Sequence, residues 1–348
     1  MYRALLNRDT TFEGIFYAGV KTTGIFCRPT CPTKKPKPEN VEYFASSQAA
    51  LYGGYRPCSR CRPLDQGRPR PDLVQRLCEA VEQSPTGKLS GSALRAMGID
   101  PSTARRQFKR YYGMTFHAYH RARRMGLALY EVRHGERVIA AQLNQGYESA
   151  SGFWEAFKRV FGAPASRAEQ INCLQARWIE TPLGAMLALA NQAGLHLLEF
   201  VDRRGLEKEI SSLRARTKCA IVPGNNPHLD QISQELKDYF DGNSMRFTVP
   251  VVMIGSQFER EVWTLLQTIP PGKTWSYAQL AQKVGRLGAV RAVGRANGKN
   301  CVALVIPCHR VIRADGSLAG YGGGLWRKQW LLEHERQAAD KQRKEAHQ

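Results

Sequence analysis

Four cysteines near the amino terminus constrain the fold of this 348-residue chain more than any other sequence feature. They form two close pairs, Cys27-x3-Cys31 and Cys58-x2-Cys61, with 26 residues between the pairs. Prolines crowd both pairs, which suits tight turns around a metal. In a reducing compartment this spacing indicates a four-thiolate zinc site better than disulfides. A purely structural zinc is the commoner role of such a site, but zinc also keeps a thiol deprotonated and therefore nucleophilic.

Positive charge is spread over most of the chain. Lys and Arg number 51 against 30 Asp and Glu, which gives a formal net charge of +21. By segment, the net charge is +7 for residues 1–70, +6 for 71–172, zero for 173–255 and +8 for 256–348. This layout predicts polyanionic partners, with nucleic acid first, although a generally basic surface would give the same count.

The composition is that of an ordinary globular protein, with 43 % apolar and 23 % charged residues, so wholesale disorder and fibrous classes are excluded. No apolar run reaches the length of a membrane span, and the first residues lack the apolar core of a signal peptide. We therefore expect a soluble cytoplasmic protein of two or three domains with no membrane partner.

Composition shifts divide the chain into segments. A proline-rich stretch from Arg62 to Pro71 predicts a linker, and a weaker break falls near residues 164–174. Residues 72–170 look wholly helical, 174–255 form a small α/β unit, and 256–340 are mainly helical.

Within the last two segments, local signals predict individual elements. Asn191–Gly194 predicts a hairpin turn, Leu229–Phe240 a helix and Met245–Val252 a strand. Ser256-x-x-Glu and Ser276-x-x-Gln are capping boxes that begin two further helices. The charged tail after residue 335 is expected to fray.

The helical segment contains two helix-turn-helix patterns. The first has a turn at Gly98, a predicted cap at Ser102 and a basic helix that ends at Gly113. The second covers residues 138–162, and a long helix over 116–132 separates them. The candidate DNA contacts on the basic helix are Arg105, Arg106, Lys109 and Arg110. Because such patterns also occur in plain helix bundles, Phe108, Phe153 and Phe157 are interpreted as core residues.

A second cysteine motif, separate from the four N-terminal cysteines, is the run Ile306-Pro307-Cys308-His309-Arg310-Val311. An adjacent imidazole can help to deprotonate a thiol, directly or through water, and a carboxylate can orient the imidazole. A Cys-His pair in an apolar run is more often a buried thiol beside a packed histidine. Here the proline ends the apolar run, which places Cys308 where catalytic residues often lie.

Both cysteine sets resemble known families. Thr22-Thr-Gly-Ile-Phe-Cys27-Arg-Pro-Thr-Cys31, with Gly54-Tyr-Arg-Pro-Cys58-Ser-Arg-Cys61, resembles the N-terminal domain of bacterial Ada proteins. The resemblance implies that all four cysteines hold one Zn²⁺ and that Cys27 also accepts a methyl group from DNA methylphosphotriesters. The helical segment resembles AraC-type DNA-binding domains, which follow the zinc domain in Ada proteins.

The motif around Cys308 resembles the active site of O6-alkylguanine-DNA alkyltransferases. The resemblance implies that Cys308 accepts the alkyl group, that His309 and Glu335 complete a relay, and that Asn300 closes the active-site loop. Glu333 is a competing carboxylate, and only the alignment of Trp330-Leu-Leu-Glu-His-Glu335 favours Glu335.

Further matches to this family concern DNA and the substrate pocket. The resemblance implies that Tyr277 presses on the DNA backbone and that Arg291 enters the base stack. On chemical grounds we also expect Tyr277 to donate a proton to the oxygen of the leaving base. Gly320-Tyr321-Gly322-Gly323-Gly-Leu resembles the substrate-pocket loop. Since glycines place few atoms beside a pocket, we expect room for alkyl groups larger than methyl.

Together these resemblances imply a multidomain α+β protein of the Ada type. Its predicted domains are a zinc domain (1–66), an all-α AraC-like double helix-turn-helix (72–170), a ribonuclease H-like α/β subdomain (174–255) and a winged-helix-like alkyltransferase subdomain (256–340). The implied function is single-turnover repair of O6-alkylguanine and O4-methylthymine at Cys308 and of methylphosphotriesters at Cys27. Methylation of Cys27 would then switch on promoter binding in an adaptive response to alkylation.

The implied partners are double-stranded alkylated DNA, promoter DNA and RNA polymerase, for a bacterial monomer that joins the nucleoid when bound to DNA. Zinc is the one expected cofactor, and no organic cofactor is expected. Two rival interpretations remain open. A zinc-dependent transcription factor with a vestigial C-terminal domain explains only residues 1–170, and a thiol redox sensor leaves Asn300, Tyr277 and Arg291 unexplained.

Overall fold

The structure is a computed structural model that describes residues 1–9, 12, 15–44, 49–50, 53–58, 60–61, 63, 72–87, 89–112, 114–203 and 205–345. The side chains of Arg110 and of residues 342–345 are outside this description. So are Gly113 and, apart from Pro63, the predicted linker at residues 62–71. No helix within the described ranges is both long and apolar enough to cross a membrane.

The N-terminal segment is a small sheet that brings the cysteine pairs together. Strands β1 and β3 pair antiparallel, as do β1 and β2, and β2 pairs parallel with β4 in the order β3-β1-β2-β4. The register Phe26↔Pro57 places Cys27 and Cys58 side by side at the ends of their strands. The elements are α1 (Tyr2–Leu6), β1 (Tyr17–Val20), β2 (Ile25–Cys27), β3 (Val41–Phe44) and β4 (Arg56–Pro57).

The next segment is wholly helical, as predicted, and contains both helix-turn-helix patterns. Its helices are α2 (Asp72–Gln83), α3 (Gly91–Ala96), α4 (Pro101–Tyr112), α5 (Phe116–Arg133), α6 (Val138–Asn144) and α7 (Ala150–Phe161). Phe108, Phe153 and Phe157 are fully buried, which confirms that they are core residues. Gly162 ends α7 in the left-handed region, with φ of 72°, a conformation that glycine adopts at little cost.

The predicted cap of α4 is wrong. Asp100, not Ser102, accepts the hydrogen bond from the backbone of Thr103 at 2.8 Å, and the Ser102 hydroxyl donates to the same carboxylate. Pro101 can occupy the first helical position because its missing N–H would have no helical partner there, so the helix begins one residue before the predicted cap.

The third segment is a four-stranded sheet with a helix on each face. The sheet has the order β7-β6-β5-β8, with β5–β6 and β6–β7 antiparallel and β5–β8 parallel. The elements are β5 (Cys173–Ile179), β6 (Met186–Asn191), β7 (Gly194–Phe200), α8 (Leu206–Thr217), β8 (Ala220–Pro223) and α9 (Pro227–Phe240). The predicted hairpin at Asn191–Gly194 is confirmed.

The strand predicted over Met245–Val252 does not form. Only Val251 makes a bridge, to Leu195, and the two hydrogen bonds there join Leu195 to the carbonyl of Pro250 and to the N–H of Val252. Pro250 has no N–H to offer a ladder, so this extended stretch meets the sheet at one point.

The last segment is mainly helical. Its elements are α10 (Gln257–Gln267), β9 (Trp275–Ser276), α11 (Tyr277–Lys283), α12 (Val290–Gly298), β10 (Val311–Ile312) and α13 (Leu325–Glu345). Both capping boxes, at Ser256 and Ser276, are confirmed. The tail expected to fray is helical to Glu345, and ion pairs of Arg336 with Glu333 and Asp340 support its first turns.

Neighbouring segments share apolar cores. One large cluster joins β6, β7 and α9 to the last segment, and it includes Cys308. Another contains Val222 of β8 together with residues of α5 and α7. The helix-turn-helix segment is therefore packed directly against the α/β sheet.

Candidate functional site

Cys308 lies at the start of a short 3-10 turn, Cys308–Arg310, that follows a tightly held loop. The side-chain amide of Asn300 holds this loop: it donates to the carbonyl of Ile306 at 2.8 Å and accepts from the N–H of Val302 at 2.9 Å. Leu304 within the loop is buried with φ of +67°, an unusual conformation for a residue with a Cβ. The loop that presents the cysteine is thus fixed by a buried network.

Five hydrogen bonds converge on the carboxylate of Glu335. His309 Nε2 lies 2.9 Å from Oε1, Arg310 donates twice at 2.9 Å, the Tyr239 hydroxyl donates at 2.9 Å and the Gly272 N–H at 3.2 Å. A carboxylate only accepts, so Nε2 of His309 carries the proton. Nδ1 of His309 is buried and has no hydrogen-bond partner in the described part of the chain, so its lone pair is free to accept a proton.

The two carboxylates that compete in sequence differ in structure. Glu335 is fully buried against His309, whereas Glu333 is exposed and pairs with Arg336 at 2.8 Å. The structure therefore brings Glu335, and not Glu333, to the histidine.

The protonation states follow from this arrangement. Burial opposes ionisation of Glu335, but the hydrogen bonds from His309 and Arg310 and the charge of Arg310 outweigh burial and hold the pKa of Glu335 well below its usual range. Burial also lowers the pKa of His309 by more than Glu335 raises it, so the imidazole is neutral. Arg310 is therefore the counter-charge of Glu335, and His309 remains available as a base.

Cys308 rests as a thiol. It is buried, 7 % exposed, and burial raises its pKa, an effect that the nearby Asn300 amide only partly offsets. Burial, together with the neighbouring Cys308, likewise raises the pKa of Tyr277, so this phenol keeps its proton. The site thus contains a thiol, a neutral base and a protonated phenol.

Tyr277 and Arg291 lie on adjacent helices. Tyr277 begins α11 and is half-buried in the cluster that contains Cys308, and its ring passes beside Gly294 of α12. Arg291 lies in the first turn of α12 and is exposed. Tyr277 therefore packs against the apolar cluster that includes Cys308, whereas Arg291 is exposed to solvent.

The glycine loop after Tyr321 does not leave open space. A Cβ on Gly322 would lie 2.7 Å from Cζ of Arg203, and one on Gly323 would lie 2.9 Å from ring atoms of both Phe200 and Tyr321. The positions that a Cβ of Gly322 or Gly323 would take are thus occupied by Arg203, Phe200 and Tyr321, and the room for larger alkyl groups stays a prediction. The Tyr321 hydroxyl is buried and has no hydrogen-bond partner among the described residues.

The four N-terminal cysteines form a compact cluster. Their sulfur atoms all lie within 4.8 Å of one another, all four are buried, and none is in a disulfide. Zinc at about 2.3 Å from each of four tetrahedral ligands separates the sulfurs by about 3.8 Å, and Cys31 and Cys58 are 3.9 Å apart. Arg28 N–H donates to the sulfur of Cys61 at 3.4 Å. The residues present fit a single zinc ion.

The basic helix of the first helix-turn-helix places its cations outward. Arg105, Arg106 and Lys109 are exposed on α4, and the Arg110 side chain is outside the described part of the chain. On α7, the corresponding helix of the second pattern, Trp154 is 39 % exposed. Sequence reasoning made this helix part of the second pattern and interpreted Phe153 and Phe157 as core, but it named no contact residue on the helix, although Trp154 beside a core phenylalanine was a visible signal.

Several contributors to the active site were missed by sequence reasoning. Arg310 directly follows Cys308 and His309 in the sequence, so its position next to the motif could have marked it as a site residue. Tyr239 reaches Glu335 across 96 residues, and no local pattern marks it. Lys328 is fully buried, donates to the carbonyls of Val311 and Ala319, and has its pKa lowered by burial to about 8.

Comparison with known proteins gives three family matches. Residues 1–64 match "Metal binding domain of Ada", 94–170 match a "Helix-turn-helix domain", and 257–337 match "6-O-methylguanine DNA methyltransferase, DNA binding domain". Over 344 residues the chain is 32 % identical to the bifunctional transcriptional activator/DNA repair enzyme Ada of Escherichia coli strain K12, with 96 % of this chain and 95 % of that protein covered. The chain belongs to the Ada family.

Another Ada-family relative is the regulatory protein ada of Salmonella typhimurium strain LT2. It is 33 % identical over 359 residues, covering 95 % of this chain and 94 % of that protein. Among solved structures, Mycobacterium tuberculosis OGT in complex with DNA matches with 37 % identity and a TM-score of 0.41, covering 47 % of this chain and 94 % of that one.

These matches confirm the resemblance to Ada, the multidomain α+β class and the metal site, since the Ada metal-binding match contains all four clustered cysteines. The domain boundaries, the ribonuclease H-like and winged-helix-like descriptions and the roles of individual site residues stay predictions.

Proposed function

We propose that this Ada-family chain is a DNA repair methyltransferase that uses two of its own cysteines, Cys27 and Cys308, as acceptors. Methylation of Cys27 makes it a transcriptional activator. The observation that carries the repair activity is the buried Cys308–His309–Glu335 arrangement, in which Arg310 neutralises Glu335 and leaves His309 a neutral base. The four-domain division at 1–66, 72–170, 174–255 and 256–340 belongs to the same proposal.

At Cys308 the reaction is a single displacement. The thiol proton passes to Nδ1 of His309, directly or through a water, and the sulfur attacks the alkyl carbon of O6-alkylguanine. An S–C bond forms as the C–O bond breaks, and Tyr277 gives its proton to the leaving base. His309 returns the proton to Tyr277, through solvent or the base, so the net product is S-alkylcysteine and repaired guanine. A thioether has no leaving step, so each molecule acts once.

The same site can accept a methyl group from O4-methylthymine, because that carbon is also bonded to an exocyclic base oxygen. In either case the target base must leave the duplex to reach a buried thiol. Arg291, exposed at the start of α12, fits the role of filling the vacated stack, and Tyr277 that of turning the backbone. Tyr321, Gly322 and Gly323 would line the pocket that receives the base.

At the N-terminal site, Cys27, Cys31, Cys58 and Cys61 would hold Zn²⁺. Bound zinc keeps the four ligands as thiolates at neutral pH, which makes a ligand sulfur nucleophilic. Cys27 has the largest exposed fraction of the four, 7 %, and lies at the end of β2. We assign Cys27 as the acceptor of the methyl group from DNA methylphosphotriesters.

Methylation changes the charge at this site. A thiolate becomes a neutral thioether, so one negative charge is removed beside DNA phosphates, and promoter affinity should rise most at low salt. Arg105, Arg106, Lys109 and Arg110 would supply phosphate and base contacts of the adjacent helix-turn-helix. Each acceptor site is built from one chain, so a cytoplasmic monomer bound to the nucleoid suffices.

An activator also contacts RNA polymerase. Ile139 and Leu143 on α6 are 70 % and 61 % exposed and lie one turn apart, so they offer an apolar surface for that contact. Replacing both with Ser should abolish activation without weakening promoter binding, because it removes the apolar surface and adds no charge near DNA. Equal transcription would refute this assignment.

Intact mass spectrometry tests the repair activity. The protein is incubated with duplexes that carry O6-methylguanine or methylphosphotriesters, and modified peptides are mapped. We expect one methyl at Cys308 and one at Cys27, while Cys308→Ala loses only the first and the matched Cys219→Ala loses neither. Transfer retained by Cys308→Ala would overturn the assignment. A zinc-dependent regulator without repair would show no addition at Cys308.

A further inference from the structure

We propose that Arg203 is a positioning residue for alkyl transfer, which holds the loop that presents Cys308 and the glycine loop of the pocket in one fixed arrangement. This inference rests on the proposed repair activity at Cys308. Arg203 lies just after β7, outside every motif used above, and its side chain is only 7 % exposed.

Arg203 is anchored by two carboxylates. It forms an ion pair with Glu199 at the end of β7 and another with Glu209 of α8 at 2.7 Å. The Glu199 side chain is 4 % exposed, so this pairing takes place away from solvent. A guanidinium held on two sides has little freedom to reorient, which makes it a rigid reference point.

From this anchor Arg203 reaches the active-site loop. Its guanidinium donates to the carbonyl of Asn300 at 3.3 Å and to that of Gly298 at 3.4 Å. Asn300 in turn holds the backbone of Ile306 and Val302 through its side chain. The contacts run from Arg203 through Asn300 to the turn that begins at Cys308.

Arg203 also touches the other wall of the pocket. Gly322 packs so closely on the guanidinium that a Cβ there would lie 2.7 Å from Cζ and 2.9 Å from Nη2. Gly322 has no positive φ, so backbone conformation does not require glycine. The close approach of the Arg203 guanidinium does require glycine at position 322, because a Cβ there would collide with it. This contact, and not the substrate pocket alone, explains why residue 322 is a glycine.

The charges around Cys308 support this role. Glu199 raises the pKa of the Cys308 thiol, behind the larger effect of burial, and Arg203 and Lys328 lower it. Burial raises the pKa of Glu199 to about 8, although Arg203 lowers it, so the adjacent guanidinium and the burial of Glu199 both limit the negative charge near the sulfur.

The test measures the single-turnover rate of methyl transfer from an O6-methylguanine duplex as a function of DNA concentration. Arg203→Gln should slow transfer at saturating DNA by about ten-fold to a hundred-fold, because misplacement of reacting groups by about 1 Å costs that much. The DNA concentration at half-saturation should stay within two-fold, since Arg203 is buried. Arg203→Lys, which keeps the charge but cannot span both carbonyls, should fall between Arg203→Gln and the wild type.

A double-mutant cycle separates positioning from general stability. Gly322→Ala should slow transfer in the wild-type background, because the added methyl displaces the guanidinium. In the Arg203→Gln background, Gly322→Ala should lower the transfer rate by less than a further two-fold, because the guanidinium that the added methyl would displace is absent. The control is Arg177→Gln, which breaks the ion pair of a half-buried arginine with the exposed Asp230 in the same α/β unit and should leave the rate unchanged.

Three results would overturn the inference. The first is an Arg203→Gln transfer rate within two-fold of the wild type, and the second is strictly additive effects of Arg203→Gln and Gly322→Ala on that rate. The third is a change only in the DNA concentration at half-saturation, with the rate at saturating DNA unaltered. If Arg203→Gln does not fold, Arg203→Lys and Gly322→Ala decide alone, and normal rates in both would refute it. Absence of transfer in the wild type would refute the proposed repair activity instead.

Discussion

At the scale of single residues, the site depends on how Glu335 is neutralised. Because Arg310 donates two hydrogen bonds to Glu335, His309 need not be charged for the carboxylate to remain buried. A histidine that carried the counter-charge itself could not accept the proton of Cys308. The arginine of the motif therefore determines that its histidine is a base.

We expect Glu335→Gln to destabilise the protein by about 3–5 kcal/mol at pH 7, because it leaves Arg310 buried without a counter-charge. The folded-state pKa of Glu335 lies well below its usual range, so its ionised form stabilises the fold above the unfolded pKa of about 4.3, and that stabilisation is lost as pH falls below this value. Urea unfolding at pH 7 and pH 3 measures this difference.

The exposed Glu333 provides the control for that experiment. Glu333→Gln should behave as the wild type at both pH values, because its ion pair with Arg336 is at the surface. A stability gap between wild type and Glu335→Gln that is as large at pH 3 as at pH 7 would contradict the assignment.

The residue scale also shows what sequence could predict. Cys308 and His309 are adjacent and Glu335 follows at a characteristic distance, so motif matching predicted a group that the structure brings together. Tyr239 and Arg203 are 96 and 97 residues from Glu335 and Asn300, the groups they contact. Such contacts exist only after the chain has folded, and no local pattern predicts them.

At the scale of elements, predictions succeeded where the cause was local. The capping boxes at Ser256 and Ser276 need only residues three apart, and both were predicted correctly. A strand over residues 245–252 would need ladder hydrogen bonds to a neighbouring strand, and Pro250 has no N–H to donate. The cap of α4 required a choice between two neighbouring polar residues, Asp100 and Ser102. The strand prediction was wrong because it depended on a pairing that local sequence does not show, and the cap prediction was wrong because two neighbouring polar residues looked equally good.

The exposed face of α4 gives a prediction at this scale. Replacing both Arg105 and Lys109 with Ala should reduce the slope of log K against log salt for duplex DNA by about 1.8, if each neutralises one phosphate. Fluorescence anisotropy at several salt concentrations measures the slope. Lys237→Ala, on α9 of the neutral α/β unit, is the control and should leave the slope unchanged. An unaltered slope in the double variant would mean that DNA does not bind the exposed face of α4.

At the scale of the whole molecule, the helix-turn-helix segment and the α/β unit are joined by aromatic contacts. Trp178 of β5 packs edge-on against Tyr112 at 4.4 Å between ring centroids, and Tyr111 donates to Glu180 at 2.6 Å. Tyr111 and Tyr112 are the last residues of the basic helix α4. The element proposed to contact DNA is therefore attached to the repair unit.

This attachment predicts coupled unfolding. Trp178→Ala should cost about 1.5–3 kcal/mol from lost burial and should separate one calorimetric transition of residues 72–345 into two. Trp154→Ala, which removes an exposed tryptophan of the same helical segment, is the control and should preserve the single transition. Two transitions already present in the wild type would show that the segments unfold independently.

The convergence of distant segments on Glu335 has a consequence for the order of folding. Its carboxylate receives donors from α9, from the turn at Gly272 and from the Cys308–Arg310 turn, so the base is assembled only when all of these have docked. The four zinc ligands lie within 35 consecutive residues and close a much shorter loop. Because contacts between distant residues form slowly, a newly synthesised chain should become able to bind zinc before it becomes able to repair guanine.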